Sequence, residues 1–386
     1  MASPVRRVVL ALHFWSGLVV GLWFVLLGLT GSALVFYLDI DRALNPHTRV
    51  EHAVAALPPV ESIHQALRQA YPERDGPWRI ELPLDQDTPV MARYYHPAER
   101  AGSYFAPMLV TLDPATLQVT SKRFWGDTVV TWLFDLHYTL LLGKPGLVLV
   151  GLAGILCFAV MVTGIQLWWP SKARFWTALR IVPRPGAVRR AYDMHCSSGV
   201  YWLPLLAVLA LTGSALAFPD QTRLLLRASP APAAPITSAH QRDTVSLDQA
   251  IATAKARFPD AEVRWVETSG AGHTPISLRM RQPSEPSRRF PQTRVWLDAG
   301  SGAILAAHDP LAANTGARMS YWFHPLHNGE AFGIVGRAAV FLSGFVPLLL
   351  FVTGVIRWRH KVRARAQAAR TARPLTSAAR APRSAM

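Results

Sequence analysis

Four runs of apolar residues, at roughly 14–38, 147–169, 199–218 and 334–356, divide the chain. An α-helix needs about 20 apolar residues to cross the hydrocarbon core of a bilayer, so each run predicts a membrane span. The first is too long for the apolar core of a signal peptide and has no clear small-residue cleavage site, so it reads as a retained anchor. Two more polar stretches, about 40–135 and 220–325, lie between spans. Each opens with an amphipathic helical pattern, Val60 to Tyr71-Pro72 in one and Val245 to Phe258-Pro259 in the other. Each then turns to short strand-like runs: Arg79–Leu82, Val90–Tyr95 and Met108–Leu112, then Val263–Glu267, Ile276–Met280 and Thr293–Leu297. Turn chemistry closes both, at Leu112-Asp113-Pro114-Ala115-Thr116 and Leu297-Asp298-Ala299-Gly300-Ser301, and the Pro/Ala stretch 229–235 reads as a flexible link.

Composition agrees with a membrane protein. Of the 386 residues 51% are hydrophobic and 17% charged, below the roughly 25% of an ordinary soluble domain. Two cysteines, Cys157 and Cys196, exclude a disulfide scaffold, a four-thiolate iron–sulfur cluster and a four-cysteine zinc site. The net charge of +16 is local. Arg6 and Arg7, the 170–194 segment and the 357–386 tail together hold 17 basic residues and one acid, which is the entire excess. A nucleic-acid surface needs basic residues on a folded module. Here they flank apolar runs and fall on one side if every run spans, so the positive-inside rule places that side, and both termini, in the cytoplasm. Trp168, Trp169 and Trp358 stand where interface anchors belong, and the tail reads as a solvated segment against anionic lipid.

The chain is a duplication. Thr30-Gly31-Ser32-Ala33-Leu34 recurs as Thr212-Gly213-Ser214-Ala215-Leu216, and the same offset carries His13 to His195 and Gly17 to Gly199. Thr163-Gly164 recurs as Thr353-Gly354, at a second offset that also matches His137 to His327, Gly143 to Gly333 and Trp168 to Trp358. Each half is span, outside lobe, span, which predicts a four-helix transmembrane bundle with a pseudo-twofold axis along the membrane normal. The expected division is span 1–39, lobe 40–135, span 136–170, basic loop 171–194, span 195–219, lobe 220–325, span 326–358 and tail 359–386.

Such an axis brings His13 to face His195 near the cytoplasmic side, and His137 to face His327 near the outside. Two neutral imidazoles on facing helices are a natural axial pair for haem iron. With no Cys-x-x-Cys-His, a haem held there would be b-type and non-covalent. A single histidine at a helix end is ordinarily an anchor, but ionisable groups repeated at membrane depth point to function. His324, three residues before His327, is an alternative ligand, a hydrogen-bond partner or a surface residue; the repeat favours His327. The lobe histidines His47, His52, His64, His96, His240, His273 and His308 read as solvent-facing. Gly17, Gly199, Gly143 and Gly333 leave room for a porphyrin face, whereas Gly28, Gly31 and their counterparts read as helix-packing residues. Trp15, Phe24, Trp202, Trp132 and Trp322 are either electron relays or lipid-facing aromatics.

Leu12-His13-Phe14-Trp15-Ser16-Gly17, Leu136-His137-Tyr138-Thr139-Leu140-Leu141-Leu142-Gly143, Met194-His195 with Gly199, and Pro325-Leu326-His327 with Gly333 together resemble the PepSY-associated transmembrane helix family. The resemblance implies a bacterial inner-membrane protein with two small α/β PepSY-like periplasmic lobes. It also implies, through the FoxB-type members, a di-haem ferric-siderophore reductase that takes electrons from a cytoplasmic donor and releases iron(II) outside. The chain has no dinucleotide-binding signature of its own. Two readings compete: a non-enzymatic membrane protein that binds or regulates an envelope partner, and a transporter of iron, siderophore or haem. The spans' lack of acidic or unwound midplane sites weakens the transporter reading.

Overall fold

The computed structural model describes residues 4–50, 54, 56–85, 88–180, 186–230, 232–235, 245–270 and 274–371. The helices are α1 (Pro4–Val19), α2 (Gly21–Val35), α3 (Tyr37–Leu44), α4 (Val60–Ala70), α5 (Val129–Thr139), α6 (Lys144–Trp168), α7 (Phe175–Ala178), α8 (Ala187–Tyr201), α9 (Leu203–Ala217), α10 (Pro219–Leu225), α11 (Leu247–Arg257), α12 (Thr315–Ser320), α13 (Phe323–His327), α14 (Gly333–Ser343) and α15 (Val346–Thr371). The strands are β1 (Trp78–Glu81), β2 (Val90–Tyr94), β3 (Met108–Leu112), β4 (Val119–Phe124), β5 (Glu262–Glu267), β6 (Ile276–Arg281), β7 (Thr293–Leu297) and β8 (Ile304–His308).

The apolar runs form helices of two kinds. Lys144–Trp168 and Glu330–Ala369 are each long and apolar enough to cross a membrane. The other two runs are bent pairs: α1 meets α2 at 53°, and α8 meets α9 at 61°. If each pair is one span, the count is up to four. The second bend has a covalent cause. Pro204 has no N–H to give, and its ring clashes with the preceding turn, so the helix breaks at Trp202. At the first bend Gly21 faces the Phe351 ring, and a Cβ there would lie 2.6 Å from Phe351 Cδ2.

His137 and His327 precede the second and fourth apolar runs on short helices of their own, α5 and α13. Leu140, Leu141 and Gly143 all take positive φ (52°, 61° and 61°), so the chain reverses tightly between α5 and α6. Lys144 opens α6, with Pro145 in the first turn, where its missing N–H leaves no bond unmade.

The strands expected to form two lobes join in one antiparallel sheet of order β4-β3-β2-β1-β5-β6-β7-β8. The join is β1 against β5, with Arg79 opposite Glu267, Ile80 opposite Val266 and Glu81 opposite Trp265. One face is apolar. Trp78, Ile80, Val266, Ile276, Leu278, Met280, Val295 and Leu297 are buried against Ile63 and Leu67 of α4 and Leu247, Ala250 and Ala254 of α11. Burying one such large aliphatic side chain contributes about 1.5–3 kcal/mol. The two helices cap each other. Asp248 accepts from the Val60 and Glu61 N–H groups (2.9 and 3.2 Å), and Glu61 accepts from the Leu247 N–H (2.9 Å). The opposite face is charged. Buried Glu81 lies 2.8 Å from Arg93 Nε and 3.5 Å from an Arg289 nitrogen.

The chain divides into two compact units. One draws on Met1–Gly28, Leu156–Ala207 and Ser343–Met386; the other draws on Leu29–Ile155 and Val208–Leu342 and contains the sheet.

Candidate functional site

Within the first unit, α1 presents His13 and α8 presents His195, with ring centroids 6.4 Å apart and planes at 87°. His13 Nδ1 lies 3.1 Å from the Val160 carbonyl and 3.1 Å from Thr163 Oγ1 on α6. His195 Nδ1 lies 3.1 Å from the Leu350 carbonyl and 3.1 Å from Thr353 Oγ1 on α15. Within the second unit, His137 and His327 have centroids 6.3 Å apart and planes at 49°. His137 Nδ1 lies 3.0 Å from Thr30 Oγ1, and His327 Nδ1 lies 3.1 Å from Thr212 Oγ1, with the Leu209 backbone as a further partner.

One local device therefore occurs four times. A Thr-Gly dipeptide on a neighbouring helix seats each ring. The threonine hydroxyl meets Nδ1, and the following glycine leaves space for the ring edge. A Cβ would fall 2.9 Å from His137 Cε1 at Gly31, 2.9 Å from His327 Cε1 at Gly213, 3.0 Å from His13 Cε1 at Gly164 and 3.8 Å from His195 Cε1 at Gly354. These contacts follow the sequence repeat residue for residue: Thr30-Gly31 matches Thr212-Gly213, and Thr163-Gly164 matches Thr353-Gly354.

The seats also fix the tautomer. A carbonyl only accepts, so at His13 and His195 the proton sits on Nδ1. Nε2 then carries the free lone pair, the form in which imidazole binds a metal. The spacing of the rings fits that use. A metal–nitrogen bond is about 2.0–2.1 Å. A five-membered ring of roughly 1.33–1.4 Å bonds puts each nitrogen about 1.15 Å from its centroid. Two imidazoles with a metal atom midway between them would have centroids about 6.3 Å apart, close to the 6.4 and 6.3 Å of the two pairs. Among the described residues no group of three or more His, Cys, Asp or Glu is placed to hold a metal ion.

The remaining candidates separate. His324 belongs to neither pair: its ring lies 4.3 Å from that of Phe290, and its Nδ1 is 3.4 Å from the Asn328 amide nitrogen. His47 and His96 are exposed as expected. His64 instead is buried on α4, and His308 is partly buried with its Nε2 3.1 Å from the Tyr321 hydroxyl. His52, His240 and His273 lie outside the described residues. Trp15, Trp132 and Trp322 are 59%, 45% and 45% exposed, which favours the lipid- or solvent-facing reading over a relay. Of the glycines expected beside a porphyrin, Gly17 and Gly333 have open space where a Cβ would stand, Gly199 meets Leu350 at 3.7 Å and Gly143 meets Tyr104 at 3.2 Å.

Apolar helices long enough to span, an antiparallel sheet domain and two facing histidine pairs define a membrane protein with an appended α/β module. The chain belongs to the PepSY-associated TM region family, whose model matches residues 10–361. It is also similar to an uncharacterized protein of Pseudomonas aeruginosa, 26% identical over 255 residues, covering 58% of this chain. The match spans 62% of that protein's length.

Proposed function

We propose that the chain is a four-span inner-membrane electron-transfer protein. It carries two haem b groups and reduces iron(III) held by siderophores on the periplasmic side. The observation that carries this reading is the pair of 6.4 and 6.3 Å ring separations, each with its Nδ1 atoms engaged by threonine. His13 with His195, and His137 with His327, are the residues that would hold the two haems. A haem bound by two histidines supplies a one-electron iron(III)/iron(II) couple. The chain's own part is to hold each ring at one angle, keep the proton at Nδ1 and exclude water with the apolar spans. By the positive-inside rule the basic segments favour the cytoplasm for both termini, and with them a cytoplasmic electron donor and a periplasmic sheet domain. One electron from that donor converts the siderophore's iron(III) to iron(II), which hard oxygen ligands hold less tightly.

The test is a reduced-minus-oxidised spectrum and a haem count on purified full-length protein expressed with haem available. The variants are His13→Ala, His195→Ala, His137→Ala and His327→Ala. Wild type should carry two b-type haems, and each variant should lose the haem of its own pair. Colourless wild type, or two haems retained in all four variants, overturns the reading. The former leaves an anchored envelope-binding protein. Uptake of iron or chelate into sealed vesicles without an electron donor would instead mark a transporter.

A further inference from the structure

Alternation along the strands turns every second side chain away from α4 and α11. On that face β1, β5, β6 and β7 bring together Arg79, Trp265, Glu267, Ser277, Arg279 and Arg294 around a cavity of about 60 Å³. Its charges do not balance. Glu267 is the one carboxylate in the lining, and it is already engaged by Arg79, whose Nε lies 2.7 Å from Glu267 Oε1. Arg279 and Arg294 are direct register partners on β6 and β7. Like charges directly opposite on neighbouring strands are destabilising. Neither makes an ion pair among the described residues, and Arg294 Nε is buried without a hydrogen-bond partner. Arg79 and Arg279 both lie against the Trp265 ring, 4.4 and 4.3 Å from its centroid, so the aromatic plate holds the guanidiniums in place without neutralising them. Burial, and then the charges of Arg294 and Arg79, pulls Arg279 down to about 9. A guanidinium ordinarily stays charged well above that range. A half-buried sheet face that sets two arginines opposite one another, neither in an ion pair among the described residues, is organised for a negative partner.

We propose that this cavity is a binding site for a compact oxyanion, a carboxylate or phosphate group carried by a soluble small molecule. The planar forks of Arg279 and Arg294 match such a group through paired N–H donors, and the Ser277 hydroxyl adds a further donor. About 60 Å³ admits the acidic group and leaves the rest of the molecule outside. The site uses no histidine of either pair, so the inference stands apart from the haem reading; within that reading it would hold the acidic groups of a ferric chelate.

The experiment is calorimetric titration of full-length protein in a neutral detergent with citrate and, separately, inorganic phosphate. Thermal unfolding midpoints and haem spectra are recorded on the same samples. One anion should bind per chain and raise the midpoint. Arg279→Gln and Arg294→Gln should each weaken binding about 10- to 100-fold, the loss expected for a charge-assisted hydrogen bond. Exposed Arg257→Gln on α11 should leave affinity unchanged. Without anion, Arg279→Gln should melt no lower than wild type, because a like-charge contact has been removed. Arg279→Lys, which keeps the charge but lacks the fork, should bind more weakly while folding normally. No binding of either anion to wild type at about 10 mM, weaker than any millimolar site, overturns the proposal, as does equal affinity in all variants. A response to short-chain phosphatidic acid alone would assign the cavity to a lipid headgroup and overturn the soluble-anion assignment. An unchanged haem spectrum throughout separates this result from any failure of the reductase reading.

Discussion

The four Thr-Gly seats make an internally controlled prediction, because equivalent glycines differ in clearance. Carbon atoms in ordinary contact lie about 3.5–4.0 Å apart. Alanine at Gly31, Gly213 or Gly164 would put a Cβ 2.9, 2.9 or 3.0 Å from the seated ring, whereas at Gly354 the distance is 3.8 Å. The first three rings must therefore move by about 0.5–1 Å. Metal sites tolerate about 0.2 Å in their bond lengths, so the displaced ring no longer faces its partner correctly. The overpacking costs about 1–3 kcal/mol. Alanine also gains up to about 1 kcal/mol over glycine in a helix. Global stability is therefore a blunt readout, and under the proposed function the haem count is the sharp one. Gly31→Ala and Gly213→Ala should each lower the count from two to one through the His137–His327 pair. Gly164→Ala should do so through the His13–His195 pair, and Gly354→Ala should leave both haems and their spectra intact. Were the glycines only helix-packing residues, the four substitutions would act without regard to these clearances. Two haems retained in Gly31→Ala, Gly213→Ala and Gly164→Ala, or equal loss in Gly354→Ala, would refute the seating argument.

Two further outcomes concern the sheet domain. Burial pushes the Glu81 carboxyl up, but Arg93, then Arg289, Arg79 and Arg264, outweigh it, so its folded-state value lies below the ordinary one. Its stabilisation is thus present above the unfolded value of about 4.3 and is lost as pH falls through the lower, folded value. Glu81→Gln should cost about 3–5 kcal/mol at neutral pH and flatten acid unfolding of the domain below that range, followed by circular dichroism; an unchanged acid limb would refute the assignment. Asp248→Ala removes both caps from the start of α4 and should destabilise by about 0.5–2 kcal/mol. A double-mutant cycle with Glu61→Ala, read by denaturant unfolding, should show coupling between them, since the two carboxylates close one reciprocal contact.

Much of the fold was legible because its determinants are local. Met108–Leu112 and Thr293–Leu297 match their sequence bounds, and the amphipathic runs became α4 and α11. The strands that periodicity missed, β4 and β8, are the two sheet edges. Val119–Phe124 is largely polar and Ile304–His308 is alanine-rich, so neither shows the alternation of a strand buried on one side. The joining of two lobes into one sheet depends on β1 and β5 meeting from opposite halves of the chain, and no local pattern encodes that. At the candidate site, the repeat brought forward the four histidines and the Thr-Gly pairs. Gly28 packs closely against Gly344 and Pro347, as a helix-packing residue does. Gly31 looked like a helix-packing residue, and its use emerges only once His137 is seen beside it. Gly143 and Gly333, expected beside a porphyrin, sit at φ of 61° and 59°, where chain reversal is reason enough for glycine.

The β1–β5 seam makes each half of the sheet depend on the other. The strands that meet there are the equivalent strands of the two repeats and run antiparallel, an arrangement that an identical pair of half-length chains would adopt. A solitary half would leave β1 as an open edge with unsatisfied N–H and C=O groups, which seek another strand. Each half of the sheet therefore covers the other's open edge, and the halves are chemically unlike: one places Arg279 opposite Arg294, while the matching rung of the other brings Arg93 against Leu109.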